Sequence, residues 1–380
     1  MTPPVPERLA EAMVGRLRSD GYLHAPEVAD AFRAVPRHQF VPDAPLDQVY
    51  DPDRAIVTRV DARGVPVSSS SAPNIMARML ERLGPEPGDR VLEIGTGTGY
   101  NAALLATLVT RAGSVTSIDI DPAVTGAARP RLERAGFGAV RVLDGDGWLG
   151  SPQGAPYDRI EATVGLWDVS PHWLEQLRDG GTLVLPLWLR PGTQVVVAFE
   201  RRGDRLTSRT VDPCGFMRLR GPHAGPEEYV HVGGWAAALE HVTAEQAELL
   251  AALLEQAPVE EELGGELPEG WFARLAFEAT DPILLSRVDD PRSLLCGLFD
   301  REAGSLALVA DGRVLVHGGD AALRRLRDHL PDLRHRPLDV RSLRIEAVRA
   351  GARAGGPAPG GGVVLPRPSF DLLVTEPTTR

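Results

Sequence analysis

The sequence predicts a doubly wound α/β sheet with an N-terminal helical cap and a smaller C-terminal α+β domain. Two patterns support this fold class. Strand and helix patterns alternate over residues 75–200, as in a largely parallel sheet. Residues 91–100 combine a short apolar strand with glycines at alternate positions and continue into a helical apolar pattern. Because such sheets bind ligands at the carboxyl ends of their strands, we expect the functional site at this glycine turn.

The residues before the glycine turn predict a helical cap followed by a loop. Residues 7–34 have a helical apolar period, and residues 55–60 have the pattern of a short strand. A loop is expected over residues 64–71, which end in four consecutive serines. Pro73 suits the first turn of the helix that follows. We therefore assign residues 1–74 to an N-terminal helical cap and substrate loop.

The glycine turn itself predicts a ligand that lacks a pyrophosphate. Gly95, Gly97 and Gly99 follow a Gly-x-Gly-x-Gly spacing, whereas dinucleotide sites that bind pyrophosphate have Gly-x-Gly-x-x-Gly. Glu93, just before the turn, would repel a pyrophosphate but would suit the positive charge of a sulfonium. The glycines would let a ligand approach the backbone, and the following helix would offer free N–H groups.

Two further strands end in carboxylates that complete the same site. The strand at 114–120 ends around Asp119, about twenty residues past the glycine turn, where such folds place a carboxylate to hold two ribose hydroxyls. The next strand is followed by Gly145 and Asp146, and the Asp146 carboxylate would accept from an adenine amino group. These three strand ends together predict that residues 75–220 bind S-adenosylmethionine (SAM).

Composition narrows the partners and the compartment. The net charge is −11 with no compensating basic block, which argues against a nucleic-acid partner. No apolar run reaches the roughly 20 residues of a membrane span, and the N-terminus lacks a signal-peptide pattern, so we expect a cytoplasmic protein with no membrane partner. Cys214 and Cys296 have no cysteine or histidine at ligand spacing. Neither a disulfide framework nor a metal site is therefore expected.

The pattern changes near Gly221, where a second domain is expected to begin. A helix at 243–256 has a capping box that starts at Thr243. Further strands are expected at 275–279, 306–309 and 313–316. We assign residues 221–350 to a C-terminal α+β domain and residues 351–380 to a linker and tail, because the beginning of that stretch is rich in Gly, Ala and Pro. Residues 363–374 are expected either to add an edge strand or to stay loose.

Together these motifs resemble those of protein-L-isoaspartate O-methyltransferases. The resemblance covers about two fifths of the chain. It rests on Val-Pro-Arg-His-Gln-Phe-Val-Pro at 35–42, Ser-Ala-Pro at 71–73, the glycine turn at 91–100, Gly-Asp-Gly at 145–147 and Gly-Gly-Thr-Leu-Val-Leu-Pro at 180–186. It implies an enzyme with a Rossmann-like methyltransferase fold, SAM as cofactor and S-adenosylhomocysteine as product. The residues that would hold SAM are Glu93, Gly95, Gly97, Gly99, Tyr100, Asp119, Gly145 and Asp146.

The resemblance also implies a carboxylate acceptor on a peptide or protein, either aspartyl or isoaspartyl. Ser71 would touch the carboxylate that is methylated, and Ser70 would help to orient it by hydrogen bonding. Transfer from a sulfonium to a carboxylate needs alignment and a site poor in water rather than a strong base. A serine run is equally typical of a flexible loop, but the Ala-Pro and helix start that follow favour the functional interpretation.

Two segments depart from the pattern of the repair enzymes. Ser-Ser-Ser at 69–71 replaces Thr-Ile-Ser, and Ala-Thr-Val-Gly-Leu-Trp-Asp at 162–168 replaces an alanine-rich sequence. With the added C-terminal domain, they look more like homologues that act in lanthipeptide, lasso or graspetide maturation. Those homologues esterify an aspartate side chain, and a neighbouring amide nitrogen then displaces methanol to give an aspartimide. We therefore expect this function ahead of isoaspartate repair.

Two further hypotheses concern the chain as a whole. A SAM-binding scaffold without activity is an alternative of another class, although Asp119, Asp146 and Ser71 favour an enzyme. The C-terminal domain is expected to dock the peptide substrate, with the hairpin at 306–316 as the candidate for adding a peptide strand. The oligomeric state, the peptide and the choice between aspartate and isoaspartate stay open at this level.

Overall fold

A computed structural model describes residues 5–61, 66–288, 290, 293–351 and 362–377. No helix in these ranges combines the length and the hydropathy that crossing a membrane requires. The helices are α1 (Val5–Ser19), α2 (Pro26–Ala34), α3 (Leu46–Val49), α4 (Pro73–Leu83), α5 (Tyr100–Val109), α6 (Pro122–Arg134), α7 (Pro171–Gln176), α8 (Ala244–Leu254), α9 (Trp271–Glu278) and α10 (Ala321–His335).

The strands form a two-stranded, a ten-stranded and a seven-stranded sheet. They are β1 (Ile56–Val60), β2 (Pro66–Ser70), β3 (Arg90–Ile94), β4 (Ser114–Asp119), β5 (Arg141–Asp144), β6 (Tyr157–Ala162), β7 (Leu177–Arg190), β8 (Thr193–Arg202), β9 (Arg205–Pro213), β10 (Glu227–Val232), β11 (Trp235–Glu240), β12 (Val259–Glu262), β13 (Pro282–Arg287), β14 (Leu294–Asp300), β15 (Ser305–Ala310), β16 (Arg313–Gly318), β17 (Arg344–Arg349), β18 (Val363–Leu365) and β19 (Phe370–Thr375).

The ten-stranded sheet has the order β18-β19-β17-β9-β8-β7-β6-β3-β4-β5 and confirms the doubly wound α/β prediction. Strands β5, β4, β3, β6 and β7 run parallel, and β8 and the strands beyond it pair antiparallel. Helices cover both faces of this sheet. Val91 and Leu92 of β3 point to opposite faces, and Val91 packs in an apolar cluster with α4 and α5 whereas Leu92 packs in another cluster with α7. The parallel register brings the carboxyl ends of β3, β4 and β6 to one edge of the sheet.

The N-terminal helices pack on the first helix after the glycine turn. Helices α1 and α2 contact each other, and α2 contacts α5. Phe32 and Phe40 meet the ring of Tyr100, with ring centroids 6.4 Å and 5.6 Å apart. All three rings are buried, so the cap is anchored at the residue that begins α5. This anchoring fixes the segment after α2, which contains Phe40 and leads towards β1 and β2. Strand β2 contains Ser68, Ser69 and Ser70 and is called the serine strand below.

The C-terminal domain is a seven-stranded antiparallel sheet in the order β10-β11-β13-β14-β15-β16-β12. Helices α8 and α10 cover it through two separate apolar clusters. The capping box at the start of α8 is present as predicted: Thr243 Oγ1 accepts from the Gln246 N–H at 3.2 Å, and Gln246 Oε1 accepts from the Thr243 N–H at 3.1 Å.

The C-terminal boundary differs from the predicted one. Strand β17 pairs with β9, and β19 pairs with β17, so the chain returns to the central sheet after α10. The reason is burial: Ile345 and Leu372 join the apolar cluster of the central strands. The predicted domain at 221–350 therefore ends earlier, and the predicted tail at 351–380 includes two strands of the central sheet. Residues 352–361 of the expected linker lie outside the described residues.

Two predicted elements take another form, and one predicted hairpin is present but cannot have its expected role. Most of the expected serine loop is strand β2, where Ser69 lies opposite Val57 of β1. Residues 275–279, expected as a strand, lie in and just beyond helix α9, where Leu275 is buried. The hairpin at 306–316 is internal, because β14 flanks it on one side and β12 on the other. It therefore offers no free edge, and the prediction that it adds a peptide strand is wrong.

Gly297 on β14 has no room for a side chain, because a Cβ there would lie 1.9 Å from the Ala307 carbonyl oxygen of β15. Gly126 on α6 is exposed and would meet nothing within 4 Å. We expect Gly297→Ala to lower the free energy of unfolding by about 3 kcal/mol. We expect the control Gly126→Ala to raise it by roughly 0.5–1 kcal/mol. Urea unfolding measures both, and an unchanged midpoint for Gly297→Ala would contradict this packing.

Candidate active site

A cavity of about 550 Å³ opens at the carboxyl ends of the parallel strands. Its volume lies within the usual range for small-molecule sites. The wall is formed by the serine strand, the glycine turn, the residues after β4 and β5, and residues 215–220. The predicted site residues that line it are Ser71, Gly95, Gly97, Asp119 and Asp146. Predicted cofactor and acceptor groups thus meet around one space.

The glycine turn packs tightly against two neighbouring segments. Gly95 and Gly97 have left-handed φ values of 99° and 51°. A Cβ at Gly95 would lie 2.6 Å from Thr163 Oγ1, and a Cβ at Gly97 would lie 3.2 Å from the Ser69 carbonyl oxygen. Any side chain here would be strained and obstructed. The turn is therefore held between the loop after β6 and the serine strand.

Asp119 lies at the end of β4 on the rim of this cavity. Its Oδ2 accepts from the Gly97 N–H at 3.2 Å, and its Oδ1 accepts from the Asp121 N–H at 3.1 Å. Burial raises the pKa of Asp119, and these N–H donors and the nearby Arg220 oppose that rise. A carboxylate accepts about four hydrogen bonds, so it retains capacity for two ribose hydroxyls.

Asp146 follows β5 at the other side of the same rim. Its Oδ1 accepts from the Trp148 N–H at 2.9 Å, which fixes the turn. Ile94, Ile118 and Gly147 line the cavity nearby and offer an apolar surface. A planar heterocycle with one amino group fits an apolar slot beside a carboxylate, so this end of the cavity suits adenine.

Glu93 lies outside the cavity, contrary to the prediction that its charge faces a sulfonium. The side chain is fully buried in β3. It accepts a hydrogen bond from Asn101 Nδ2 at 2.9 Å and another from the Ser117 hydroxyl. Burial raises the pKa of Glu93 to about 8. The neutral acid therefore predominates at neutral pH, and its structural effect is to tie the start of α5 to the sheet.

Gly99 and Gly145 also do not line either of the cavities described here. Gly99 has a left-handed φ of 88° at the N-cap of α5, and a Cβ there would lie 3.1 Å from Leu132 of α6. The Gly145 N–H donates to the Asp119 carbonyl oxygen at 3.0 Å. Both glycines therefore shape the backbone behind the site rather than its surface.

A smaller cavity of about 30 Å³ adjoins the first and shares part of its wall. Ser70 and Tyr100 line this smaller cavity and do not line the larger one. Alternation of side chains along β2 turns Ser70 away from its neighbours Ser69 and Ser71. Of the two serines predicted to orient the acceptor, only Ser71 therefore reaches the larger cavity.

Arg37 holds the serine strand in place, a role that the sequence did not reveal. It is completely buried, and its Nη2 donates to the Ser71 carbonyl oxygen at 2.8 Å. Its Nε donates to the Val49 carbonyl oxygen at 2.9 Å, and its guanidinium carbon lies 4.9 Å from the Tyr100 ring centroid. Burial lowers the pKa of Arg37. The sequence signal was its place in the motif at 35–42, which does not show the partner of the side chain.

Residues 215–220 close one side of the larger cavity and bring a second unpredicted arginine. Arg220 approaches Asp119 at 3.8 Å and Asp121 at 3.6 Å. Arg59 of β1 donates to the same Asp121 at 2.7 Å. Two arginines from opposite parts of the chain therefore meet at the end of β4 and draw these segments together.

The C-terminal segment holds the loop after β6. Asp168 accepts from the backbone N–H groups of Ser369 at 2.7 Å and Phe370 at 3.3 Å. The Arg367 guanidinium carbon lies 4.3 Å from the ring centroid of Trp167. The loop that departs from the repair-enzyme pattern is thus fixed by the strand that completes the sheet.

Comparison with known proteins places this site in a family. Residues 8–223 match the family described as Protein-L-isoaspartate(D-aspartate) O-methyltransferase (PCMT), and this match spans more than half of the chain. The chain belongs to this family. The methyltransferase is 39% identical over 215 residues to the protein-L-isoaspartate O-methyltransferase of Methanopyrus kandleri, covering 56% of this chain and 92% of that one. The corresponding Aeropyrum pernix protein is 36% identical over 222 residues, covering 57% and 81%.

The likeness in fold extends over the whole methyltransferase. A solved structure described as a protein-L-isoaspartate O-methyltransferase covers 97% of this chain and 99% of its own, with a TM-score of 0.55 and 23% identity. The chain is a SAM-dependent protein carboxyl O-methyltransferase with a Rossmann-like fold. The cavity fits that cofactor, because two carboxylates and an apolar slot lie at the strand ends.

Asp119→Ala should weaken the binding of S-adenosylhomocysteine by about 1–3 kcal/mol, because charged hydrogen bonds to the ribose are lost. Isothermal titration calorimetry measures this change. Asp204→Ala is the matched control, since Asp204 lies on the β8–β9 turn with a side chain that is 85% exposed. Equal affinities for the wild type and Asp119→Ala would show that the ribose lies elsewhere.

The buried acids Glu93 and Glu161 predict how stability depends on pH. Burial raises their pKa values to about 8 and about 7, above the ordinary value of 4.5. The native state therefore keeps protons that the unfolded chain releases, and the stability from these groups is lost as pH rises from about 4.5 to about 8. We expect Glu93→Gln to show a shallower fall in Tm than the wild type between about pH 5 and about pH 8.5. Calorimetry measures the slopes, and identical slopes would contradict the prediction.

Proposed function

We propose that this methyltransferase esterifies the α-carboxylate of L-isoaspartyl residues in proteins or peptides. The match to the family at residues 8–223 includes every segment that lines the larger cavity, and the relatives named above carry this activity in their names. The main support for the proposal is the position of Ser71. It lines the same cavity as Asp119 and Asp146, so an acceptor beside Ser71 adjoins the cofactor site.

The geometry supports methyl transfer by alignment and exclusion of water. SAM, when bound, supplies a methyl group on a positively charged sulfur. Ser71 offers a hydroxyl that orients a carboxylate, and Arg37 fixes its backbone through the carbonyl oxygen. Val164, Phe216 and Met217 give the cavity an apolar wall. A carboxylate that loses water against this wall becomes a better nucleophile, so no general base is required.

The hairpin of β1 and β2 offers a surface for the residues that flank the acceptor. Val57 and Val60 are 51% and 54% exposed, and Val57 also lines the cavity. Exposed apolar side chains beside a cavity mouth are typical of a surface that meets a partner. We therefore propose that the substrate chain runs along this hairpin.

The alternative acceptor, an aspartate side chain of a ribosomally made peptide that undergoes maturation, has weaker support. The names of the relatives favour isoaspartate. The added C-terminal domain does not distinguish the two, because a solved structure described as a protein-L-isoaspartate O-methyltransferase shares the whole fold. The non-catalytic scaffold is not retained, because the chain is a member of a methyltransferase family.

The test uses two peptides that differ only in carrying L-isoaspartate or L-aspartate at one position. Transfer of labelled methyl from SAM should give a kcat/KM at least about tenfold higher for the isoaspartyl peptide. Binding of S-adenosylhomocysteine, measured on the same sample, shows that the protein is folded. Preference for the aspartyl peptide, or no transfer to either peptide despite tight binding, would overturn the proposal. Aspartimide formed from the aspartyl peptide would favour peptide maturation instead.

A further inference from the structure

The smaller cavity is lined by oxygen atoms that have no hydrogen-bond partner within the described structure. These atoms are Ser70 Oγ, Tyr100 Oη and Glu161 Oε1. The three residues line this one cavity and are 4%, 1% and 1% exposed. Leaving a buried polar atom unsatisfied costs free energy, and native structures have few such atoms. Three of them around one cavity indicate a small polar ligand group, and the carboxyl oxygen of Glu161 favours a group that donates hydrogen bonds.

Different elements bring these oxygens together. Ser70 comes from β2, Tyr100 begins α5, and Glu161 lies near the end of β6. Asn101 Nδ2 donates to Glu161 Oε2 at 2.7 Å and so fixes the carboxyl group while leaving Oε1 for a ligand. The volume of about 30 Å³ suits one small group, and the shared wall at Gly95 connects it to the cofactor cavity.

The amino-acid end of the cofactor carries a group of this kind. With adenosine at Asp119 and Asp146, the methionine part of SAM extends past the glycine turn. It ends in a carboxylate and an ammonium. An ammonium has three N–H donors and no acceptor, which matches three oxygens. A carboxylate would bring negative charge against the Glu161 carboxyl, which disfavours it there.

We propose that Ser70, Tyr100 and Glu161 bind the α-ammonium group of SAM. This assignment gives Ser70 a role in holding the cofactor, whereas Ser71 faces the acceptor. The proposal requires that SAM is the cofactor, as it is for the family, and it does not depend on which carboxylate is methylated.

The surroundings agree with an ammonium at this position. Burial raises the pKa of Glu161 to about 7, and a cation beside it would lower that pKa and favour the carboxylate. Asn101 Nδ2 also donates to Glu93, which holds the amide that fixes Glu161. Arg37, whose guanidinium carbon lies 4.9 Å from the Tyr100 ring centroid, directs two of its donors to the carbonyl oxygens of Val49 and Ser71.

The test compares two ligands on the full-length protein by calorimetry. One is S-adenosylhomocysteine, and the other is 5′-deoxyadenosyl-4-thiobutanoate, in which hydrogen replaces the α-amino group. Glu161→Gln should lower the affinity for S-adenosylhomocysteine about tenfold or more, because this ligand loses a charged hydrogen bond. The affinity for the deamino ligand should stay within about twofold of the wild-type value. Glu346→Gln, on β17 of the same sheet, is the matched control and should change neither affinity.

Tyr100→Phe keeps the buried ring and removes only the hydroxyl. This variant should lower the affinity for S-adenosylhomocysteine by about threefold to tenfold, in line with the loss of one hydrogen bond. It should leave the affinity for the deamino ligand unchanged. If Glu161→Gln and Tyr100→Phe weaken both ligands equally, or neither, the cavity holds a water molecule and the proposal is wrong. Because no acceptor peptide is present, this outcome is separate from the outcome for isoaspartate.

Discussion

The close approach of the glycine turn to its two neighbours is the constraint on which the site depends. Gly95 leaves no room for a side chain beside Thr163, and Gly97 lies directly against the Ser69 carbonyl oxygen. The floor of the cofactor cavity and the wall that carries Ser71 are therefore one packed unit. Arg37 extends this unit to the helical cap by its bond to the Ser71 carbonyl oxygen. The residues proposed to hold the cofactor and the acceptor consequently keep a fixed relation across a single cavity.

The C-terminal part of the chain completes the methyltransferase domain rather than following it. The antiparallel domain from β10 to α10 is inserted between β9 and β17, two strands that pair in the central sheet. The segment before β19 then binds the loop after β6 through Asp168 and Trp167. The last described strands thus stabilise the loop whose first residues, Thr163 and Val164, line the larger cavity. This arrangement explains how a large insertion leaves the order of the parallel strands unchanged.

Sequence spacing was sufficient to predict the features that depend on local pattern. The alternating glycines and the strand ends predicted the parallel sheet. They also predicted that the carboxylates of Asp119 and Asp146 lie at one edge of it. The direction of a side chain depends on packing from distant segments, so Glu93 and Ser70 were predicted at the wrong surfaces. Arg37 and Glu161 act through partners 34 and 60 residues away, respectively, in the sequence. No short motif shows these contacts. The sequence allowed an edge strand over 363–374 but did not show that this segment pairs in the central sheet.

The most direct measurement is a crystal structure of the protein with S-adenosylhomocysteine and an isoaspartyl peptide. We expect the adenine beside Asp146, the ribose on Asp119 and the amino group between Ser70 and Glu161. The α-carboxylate of the isoaspartyl residue should lie beside Ser71 and face the thioether sulfur, in line for methyl transfer. A cofactor bound in the reverse direction, or a peptide bound only on the C-terminal domain, would contradict a single cavity that holds both reactants.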